Sequence, residues 1–396
     1  MVTIDSLMNE REAVLVLNNG QVFHGVGFGA TKKVFGEFVF TTFTAAGYYC
    51  ALTDPSNQGQ IYTLTYPLIG NYGVPPWEKD EYGIYKYFES SSIKCAGFIV
   101  HEACKEPSHY ESEKTLDQFL AEEGIPGIER VDTREITKIF RSEGVQVGMI
   151  QVFEEGETPP SDEELIEEVK RAKDPNLRHL ASEVSTKKVK TYSPEDPIGT
   201  VVAVDFGIKN NILRNIVRRK MKVILVPYNY SYKQIMEYDP DGILLSNGPG
   251  DPKKCIEAID LTKQLIDEEF PTMGICLGNQ ILGLAAGADT YKLKYGHRGG
   301  NKPVIDLRSG SGYITSQNHG YAVDVEGLKK SGFEEMLVNA DDDTNEGIYH
   351  KKKPIFAVQF HPEAYPGPED TQYLFDDFMK NMGFEKEQYH TEEDED

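Results

Sequence analysis

Between residues 200 and 276 the chain repeats one pattern: a short, unbroken apolar run, then a stretch with helical periodicity. Val201–Asp205 is followed by a helix from Asn211 to Arg219. Lys222–Pro227 is followed by a helix from Tyr232 to Tyr238, and Gly242–Ser246 by a helix from Cys255 to Glu269. Strands without an apolar–polar alternation are buried on both faces, so the pattern predicts a mostly parallel sheet with helices on either side. In such sheets ligands bind beyond the carboxyl ends of the strands. Two motifs fall at those ends. One is Ser246-Asn247-Gly248-Pro249-Gly250-Asp251-Pro252. The other is the next apolar run, Pro271-Thr272-Met273-Gly274-Ile275, which enters Cys276-Leu277-Gly278-Asn279-Gln280 and a helix that continues to Gly287.

Gly274-x-Cys276-x-Gly278 is the cysteine form of a nucleophile elbow. Glycines on both sides leave no Cβ to clash in a sharp reversal. The turn presents the sulfur at a helix N-terminus, where unpaired N–H groups and the helix dipole favour the thiolate, the form that attacks carbon. The plain alternative is a small apolar residue in a tight strand-to-helix turn, and a turn is also the plain alternative for Asn247–Gly250. Further on, Ile355–Phe360 predicts a strand ending in His361-Pro362-Glu363. Side chains two apart on an extended chain face the same side. A carboxylate beside an imidazole fixes the tautomer and leaves the other nitrogen free to act as a base. Cys276, His361 and Glu363 are therefore a candidate thiol triad.

The first 150 residues have another texture. Ala13–Leu17 and Gln21–His24 flank the turn Asn18-Asn19-Gly20, which predicts a hairpin. Gly36–Thr42, Gln60–Pro67 and Ser92–His101 predict further strands, and Leu116–Glu123 and Arg134–Glu143 predict helices. Gly25-x-Gly27-x-Gly29 opens no helix and is not read as a dinucleotide loop. His24, His101 and His109 are read as structural or exposed, and Cys50 as a buried small residue. Residues 151–198 are polar and acidic, with a charged helix from Ser161 to Ala172 capped by Ser161. The expected domains are thus 1–150, mixed and β-rich, a linker over 151–198, an α/β domain over 199–385, and an acidic, disordered tail over 386–396.

Composition narrows the function classes. The 396 residues carry 41 basic and 64 acidic side chains, a net charge of −23, which argues against binding nucleic acid or an anionic membrane. The five cysteines are scattered, without the paired spacing of a zinc or dithiol site, and fit a reducing, cytoplasmic setting. The N-terminus lacks the basic start and apolar core of a signal peptide, and no apolar run reaches the ~20 residues of a membrane span.

At these motifs the chain resembles the class I (triad) glutamine amidotransferases, and most specifically the glutamine-hydrolysing small subunits of carbamoyl-phosphate synthetase. The elbow and His361-Pro362-Glu363 are common to all class I glutaminases. The narrower resemblance rests on Leu52–Ser56, Thr63–Asn71, Val131–Arg134, Asp205–Lys209, Tyr295–Asn301, Thr315–Val323 and His361–Pro368. It implies glutamine hydrolysis by Cys276, His361 and Glu363 through a glutamyl thioester. Contacts to glutamine would come from Ser56, Gly248, Gly250, Leu277, Gln280, Asn318, Gly320 and Tyr321. It implies no cofactor or metal in this chain; ATP and metal belong to a large partner subunit that makes carbamoyl phosphate from bicarbonate and the ammonia, for pyrimidine or arginine biosynthesis. Gly36–Tyr48 is one residue longer than the family's usual segment and lies just upstream of Ser56. The alternatives are a non-catalytic regulatory subunit of the same fold, a class I glutaminase serving another synthase, and a stand-alone γ-glutamyl hydrolase.

Overall fold

The computed structural model describes residues 10–43 and 47–389. The chain forms two compact units. The first comprises residues up to Glu78 together with Ser91–Arg178, and the second Lys79–Ser90 together with His179 onward.

The first unit contains strands β1 (Arg11–Leu17), β2 (Val22–Gly29), β3 (Lys33–Thr41), β4 (Gln60–Leu64), β5 (Leu68–Ile69), β6 (Gly97–Ile99), β7 (Glu102–Ala103), β8 (Pro126–Glu129) and β9 (Gln146–Val152). Its helices are α1 (Tyr48–Thr53), α2 (Leu116–Glu122), α3 (Thr133–Glu143) and α4 (Asp162–Val169). Seven of the strands close into a barrel in the order β1-β2-β8-β6-β4-β3-β9, which leaves no unpaired edge. The Asn18-Asn19-Gly20 turn joins β1 to β2 as the sequence predicts, and Gly25–Gly29 lies within β2. The charged helix starts at a capping box built by Ser161 and Glu164. Its buried residues Leu165 and Val169, with Ile166 beside them, pack against Val14, Val16 and Met149, so this helix belongs to the first unit rather than to a linker.

The second unit begins with helix α5 (Leu180–Val184) and strand β10 (Lys190–Tyr192). Then follow β11 (Gly199–Asp205), α6 (Asn210–Arg218), β12 (Met221–Pro227), α7 (Tyr232–Met236), β13 (Gly242–Leu245), α8 (Ile256–Asp267), β14 (Thr272–Ile275) and α9 (Leu277–Ala285). The chain ends through β15 (Asp289–Asp306), β16 (Gly312–Asp324), β17 (Phe333–Asn339), β18 (Asn345–His350), β19 (Ile355–Val358) and α10 (Tyr373–Asn381). One 10-stranded sheet runs β10-β12-β11-β13-β14-β19-β18-β17-β15-β16. Its β12-β11-β13-β14-β19 run is parallel. Alternate residues of β11 divide between two cores. Val201 and Ala203 pack with α6 and α10, while Val202 and Val204 pack with α7, α8 and α9, so helices cover both faces.

Further expectations change. The Ser92–His101 strand shortens to β6, Gly97–Ile99. At the start of the expected tail, Lys386–Gln388 form a 3-10 turn and Tyr389 is buried among the residues packed on α10, while the rest of it, 390–396, lies outside the described residues. Residues 79–90, expected in the N-terminal domain, form an arm of the second unit. Ile84 enters the α6–α10 core, Arg214 on α6 pairs with Asp80 at 3.2 Å, and Asn210 N–H bonds the Glu89 carbonyl. Within the lengthened 36–48 segment, residues 44–46 lie outside the described residues.

Candidate active site

The elbow forms as its glycines dictate. Cys276 caps α9 at φ 54°, a left-handed value that costs a non-glycine residue free energy. Backbone bonds hold it there: Cys276 N–H to the Val358 carbonyl at 2.8 Å, and Gly278 N–H to the Ser246 carbonyl at 3.0 Å. A Cβ at Gly278 would stand 2.2 Å from the Leu245 carbonyl oxygen, and one at Gly274 2.8 Å from the backbone of Gly278. Of the first N–H groups of α9, Gly278 bonds the Ser246 carbonyl and Asn279 and Gln280 bond the Cys276 carbonyl, while Leu277 has no acceptor within the helix.

The second motif sits at the end of β13. A Cβ at Gly248 would lie 2.3 Å from the Phe206 carbonyl, so only glycine lets this loop lie so close to the loop after β11. Ser246 Oγ accepts from Phe206 N–H at 2.9 Å, and Asn247 Oδ1 from Lys209 N–H at 3.1 Å. Asp205 closes the β11 turn by accepting from the N–H groups of Gly207 and Ile208, each at 2.9 Å. Gly250, at φ 95°, completes the turn.

His361 and Glu363 meet, though not on an extended strand. β19 ends at Val358, earlier than the sequence predicts, and the chain then turns, with Ala364 and Tyr365 in the left-handed region. His361 N–H bonds the Ser316 carbonyl at 2.8 Å. His361 Nδ1 lies 2.7 Å from Glu363 Oε1. Since Nδ1 is taken, Nε2 is the nitrogen left for the Cys276 sulfur, which acts on the same ring. All three side chains are buried, Glu363 completely.

Charge is arranged accordingly. Burial opposes the imidazolium of His361, but the Glu363 carboxylate and the Cys276 sulfur outweigh it and raise the pKa to about 10. Burial likewise opposes ionisation of Glu363, and Lys209 and His361 overcome it, lowering the pKa to about 2. Lys209 is the residue that sequence reasoning left without a role. Its buried ammonium lies 3.0 Å from Glu363 Oε1 and 2.7 Å from the Ala364 carbonyl. A lysine just beyond an apolar strand was the available signal. Asn211 Nδ2 donates to the Glu363 carbonyl, and Arg214 Nη1 to Asn211 Oδ1 at 2.7 Å.

Of the residues expected to touch glutamine, the second unit gathers Leu277 and Gln280 at the start of α9 and Gly248 and Gly250 after β13. Asn318, Gly320 and Tyr321 lie on β16. Cys276 Sγ lies 3.9 Å from the Asn318 carbonyl, and Gln280 Nε2 donates to the Tyr321 carbonyl at 3.1 Å. Ser56 is buried in the first unit, in a 3-10 turn where its N–H bonds Asp54 Oδ1 at 2.8 Å.

The sequence matches two family models, "Carbamoyl-phosphate synthase small chain, CPSase domain" over residues 15–150 and "Glutamine amidotransferase class-I" over residues 202–381. It is 50% identical to the carbamoyl phosphate synthase small chain of Methanocaldococcus jannaschii, over 93% of this chain and 98% of that one. The chain belongs to the carbamoyl-phosphate synthase small chain family. Its similarity extends to the small chain of Methanopyrus kandleri, 45% identical over 93% of this chain and 98% of that protein. It is also 45% identical to the arginine-specific small chain of Chaetomium globosum, over 95% of this chain and 79% of that protein. The class I amidotransferase domain makes it the glutaminase type of subunit. Among the described residues no helix is long and apolar enough to cross a membrane.

Proposed function

We propose that this chain hydrolyses glutamine to glutamate and ammonia. The Cys276 thiolate attacks the side-chain amide carbon, and the N–H groups of Leu277 and Gly248 hold the oxyanion. The tetrahedral adduct expels its nitrogen as ammonia, which takes the proton from His361 Nε2, leaving a glutamyl thioester. His361 then removes a proton from water, the hydroxide adds to the thioester carbon, and the carbon–sulfur bond breaks to return the thiolate and release glutamate. Glu363 keeps the ring oriented through Nδ1, and Lys209 keeps Glu363 ionised. Gln280, Gly250, Asn318, Gly320 and Tyr321 bind the substrate. Ser56 is assigned a glutamine contact on family resemblance alone.

The observation that supports this reading most is the 2.7 Å His361–Glu363 contact in a buried ring whose other nitrogen is left to Cys276. The ammonia passes to a large synthetase subunit, as the names of the relatives suggest, and ATP and metal act there.

The test is ammonia release from glutamine by the purified chain, with and without the large subunit, beside Cys276→Ser. Activity that the partner stimulates and the serine variant abolishes is expected, with carbamoyl phosphate formed in the complete mixture. A folded chain that binds its partner yet turns over no glutamine would make it a non-catalytic subunit.

A further inference from the structure

Glu89 has no part in the chemistry above, yet it is a completely buried carboxylate. It lies near the end of the arm at residues 79–90 and meets the first turn of α6. A helix begins with N–H groups that have no acceptor of their own, and a serine, threonine, aspartate or asparagine at the N-cap commonly takes one. α6 has Lys209 at that position, and a lysine side chain only donates. The acceptors come from elsewhere. Lys209 N–H bonds Asn247 Oδ1 at 3.1 Å, Asn210 N–H bonds the Glu89 carbonyl at 3.0 Å, and Asn211 N–H bonds Glu89 Oε2 at 3.1 Å. Ile212 N–H reaches the Lys209 carbonyl at 3.1 Å. Glu89 thus caps α6 twice, once from its backbone and once from its carboxylate.

The same turn grips the triad carboxylate. Lys209 Nζ lies 3.0 Å from Glu363 Oε1 and 2.7 Å from the Ala364 carbonyl, and Asn211 Nδ2 donates to the Glu363 carbonyl. The lysine that cannot cap its own helix is therefore the one that reaches Glu363. The N–H that the Glu89 carboxylate receives belongs to the asparagine that holds the Glu363 backbone. Other parts of the arm brace the same turn. Asn210 Nδ2 donates to the Phe88 carbonyl at 2.8 Å. Arg214, which donates to Asn211 Oδ1 at 2.7 Å, also donates to the Tyr85 carbonyl at 2.6 Å.

We propose that Glu89 is a positioning residue of the triad: by capping α6 it sets Lys209 and Asn211, and through them the Glu363 carboxylate that orients His361. What the cap requires is an oxygen that accepts. Burial pushes the Glu89 carboxyl up to about 7 against the pull of Lys209 and the Asn211 N–H. Near neutrality the group stands between its two forms, and a carboxyl oxygen accepts in either. Glutamine at this position keeps such an oxygen; alanine does not.

The inference rests on the proposed glutaminase chemistry, and its test separates the two. Glu89→Ala, Glu89→Gln and Asn211→Ala are compared with the native chain, each with the large subunit, in steady-state glutaminase assays. Rates are counted per Cys276 that glutamine protects from iodoacetamide, so unfolded chain does not enter. Glu89→Ala is expected to lower kcat about tenfold, with KM for glutamine within about threefold of native. The alkaline limb of its kcat/KM profile should move down, because a displaced Glu363 favours the imidazolium less. Glu89→Gln should restore kcat to within about threefold of native and return the limb to its native place. Asn211→Ala keeps the cap and loses the bond to the Glu363 carbonyl. It should lower kcat with KM held, and it carries the test if Glu89→Ala does not fold. A native kcat in Glu89→Ala or in Asn211→Ala overturns the proposal. So does an equal loss in Glu89→Gln and Glu89→Ala, which would assign the effect to charge beside Lys209 instead of to the cap. A rise in KM alone would put Glu89 in substrate binding and overturn it as well. If the native chain neither turns over glutamine nor is protected by it, the proposed function fails and this inference falls with it.

Discussion

A fully buried carboxylate needs a cation beside it, and for Glu363 that cation is Lys209, at 3.0 Å and itself buried. Removing only the cation leaves the charge stranded. Lys209→Met is therefore expected to cost about 3 kcal/mol or more of stability, read as a lower midpoint in urea. An unchanged midpoint would mean that the pair contributes nothing. Glu363→Gln acts on His361 instead. The carboxylate favours the imidazolium, so without it the ring loses its proton at lower pH, and the alkaline limb of the kcat/KM profile should move down. The same shift bears on folding. The folded His361 pKa of about 10 lies above the ordinary 6.5, so its stabilising contribution is complete below 6.5 and lost as pH rises through about 10. Cys276, His361 and Glu363 were legible because each sits in a short motif with local chemistry. Lys209 was not, because its partner lies far along the chain and nothing local marks a buried lysine as paired.

At the scale of elements, the elbow is the least tolerant piece. Gly278→Ala would place a Cβ 2.2 Å from a backbone oxygen of β13, which cannot swing aside as a side chain would. The expected result is a loss of about 3 kcal/mol or more, together with slower alkylation of Cys276 as the turn opens. A variant as stable and as reactive as native would show that the strand and helix can separate freely. The strand–helix alternation of β11 to α9 could be read from sequence, since continuous apolar runs and helical periods differ plainly. The antiparallel half could not. β15 and β16 run for 18 and 13 residues, but register shifts between Lys292 and His297 and between Gly299 and Lys302 break their alternation. The end of β19 was misread for the opposite reason. Phe360, beyond the polar Gln359, resumes an apolar pattern that the backbone has already left, and it is the turn that brings His361 to Glu363.

For the whole molecule, the excess of 64 acidic over 41 basic side chains sets up a self-repulsion that folding must overcome. Salt should relieve it. Raising ionic strength from about 0.01 M to about 0.15 M shortens the screening length from about 30 Å to about 8 Å. The thermal midpoint is expected to rise by a few degrees; a fall would mean that the surface ion pairs matter more than the net charge. The division into two units was only partly legible, because a boundary drawn from composition assumes that each unit is one continuous piece of chain. The arm at 79–90 breaks that assumption. During synthesis the arm leaves the ribosome long before α6, the helix that receives Asp80 and the Glu89 carbonyl, has been made. A gene split between residues 178 and 179 would assign the arm to the wrong polypeptide. The amidotransferase unit would then have to recover part of its own core, Ile84 included, from a separate molecule.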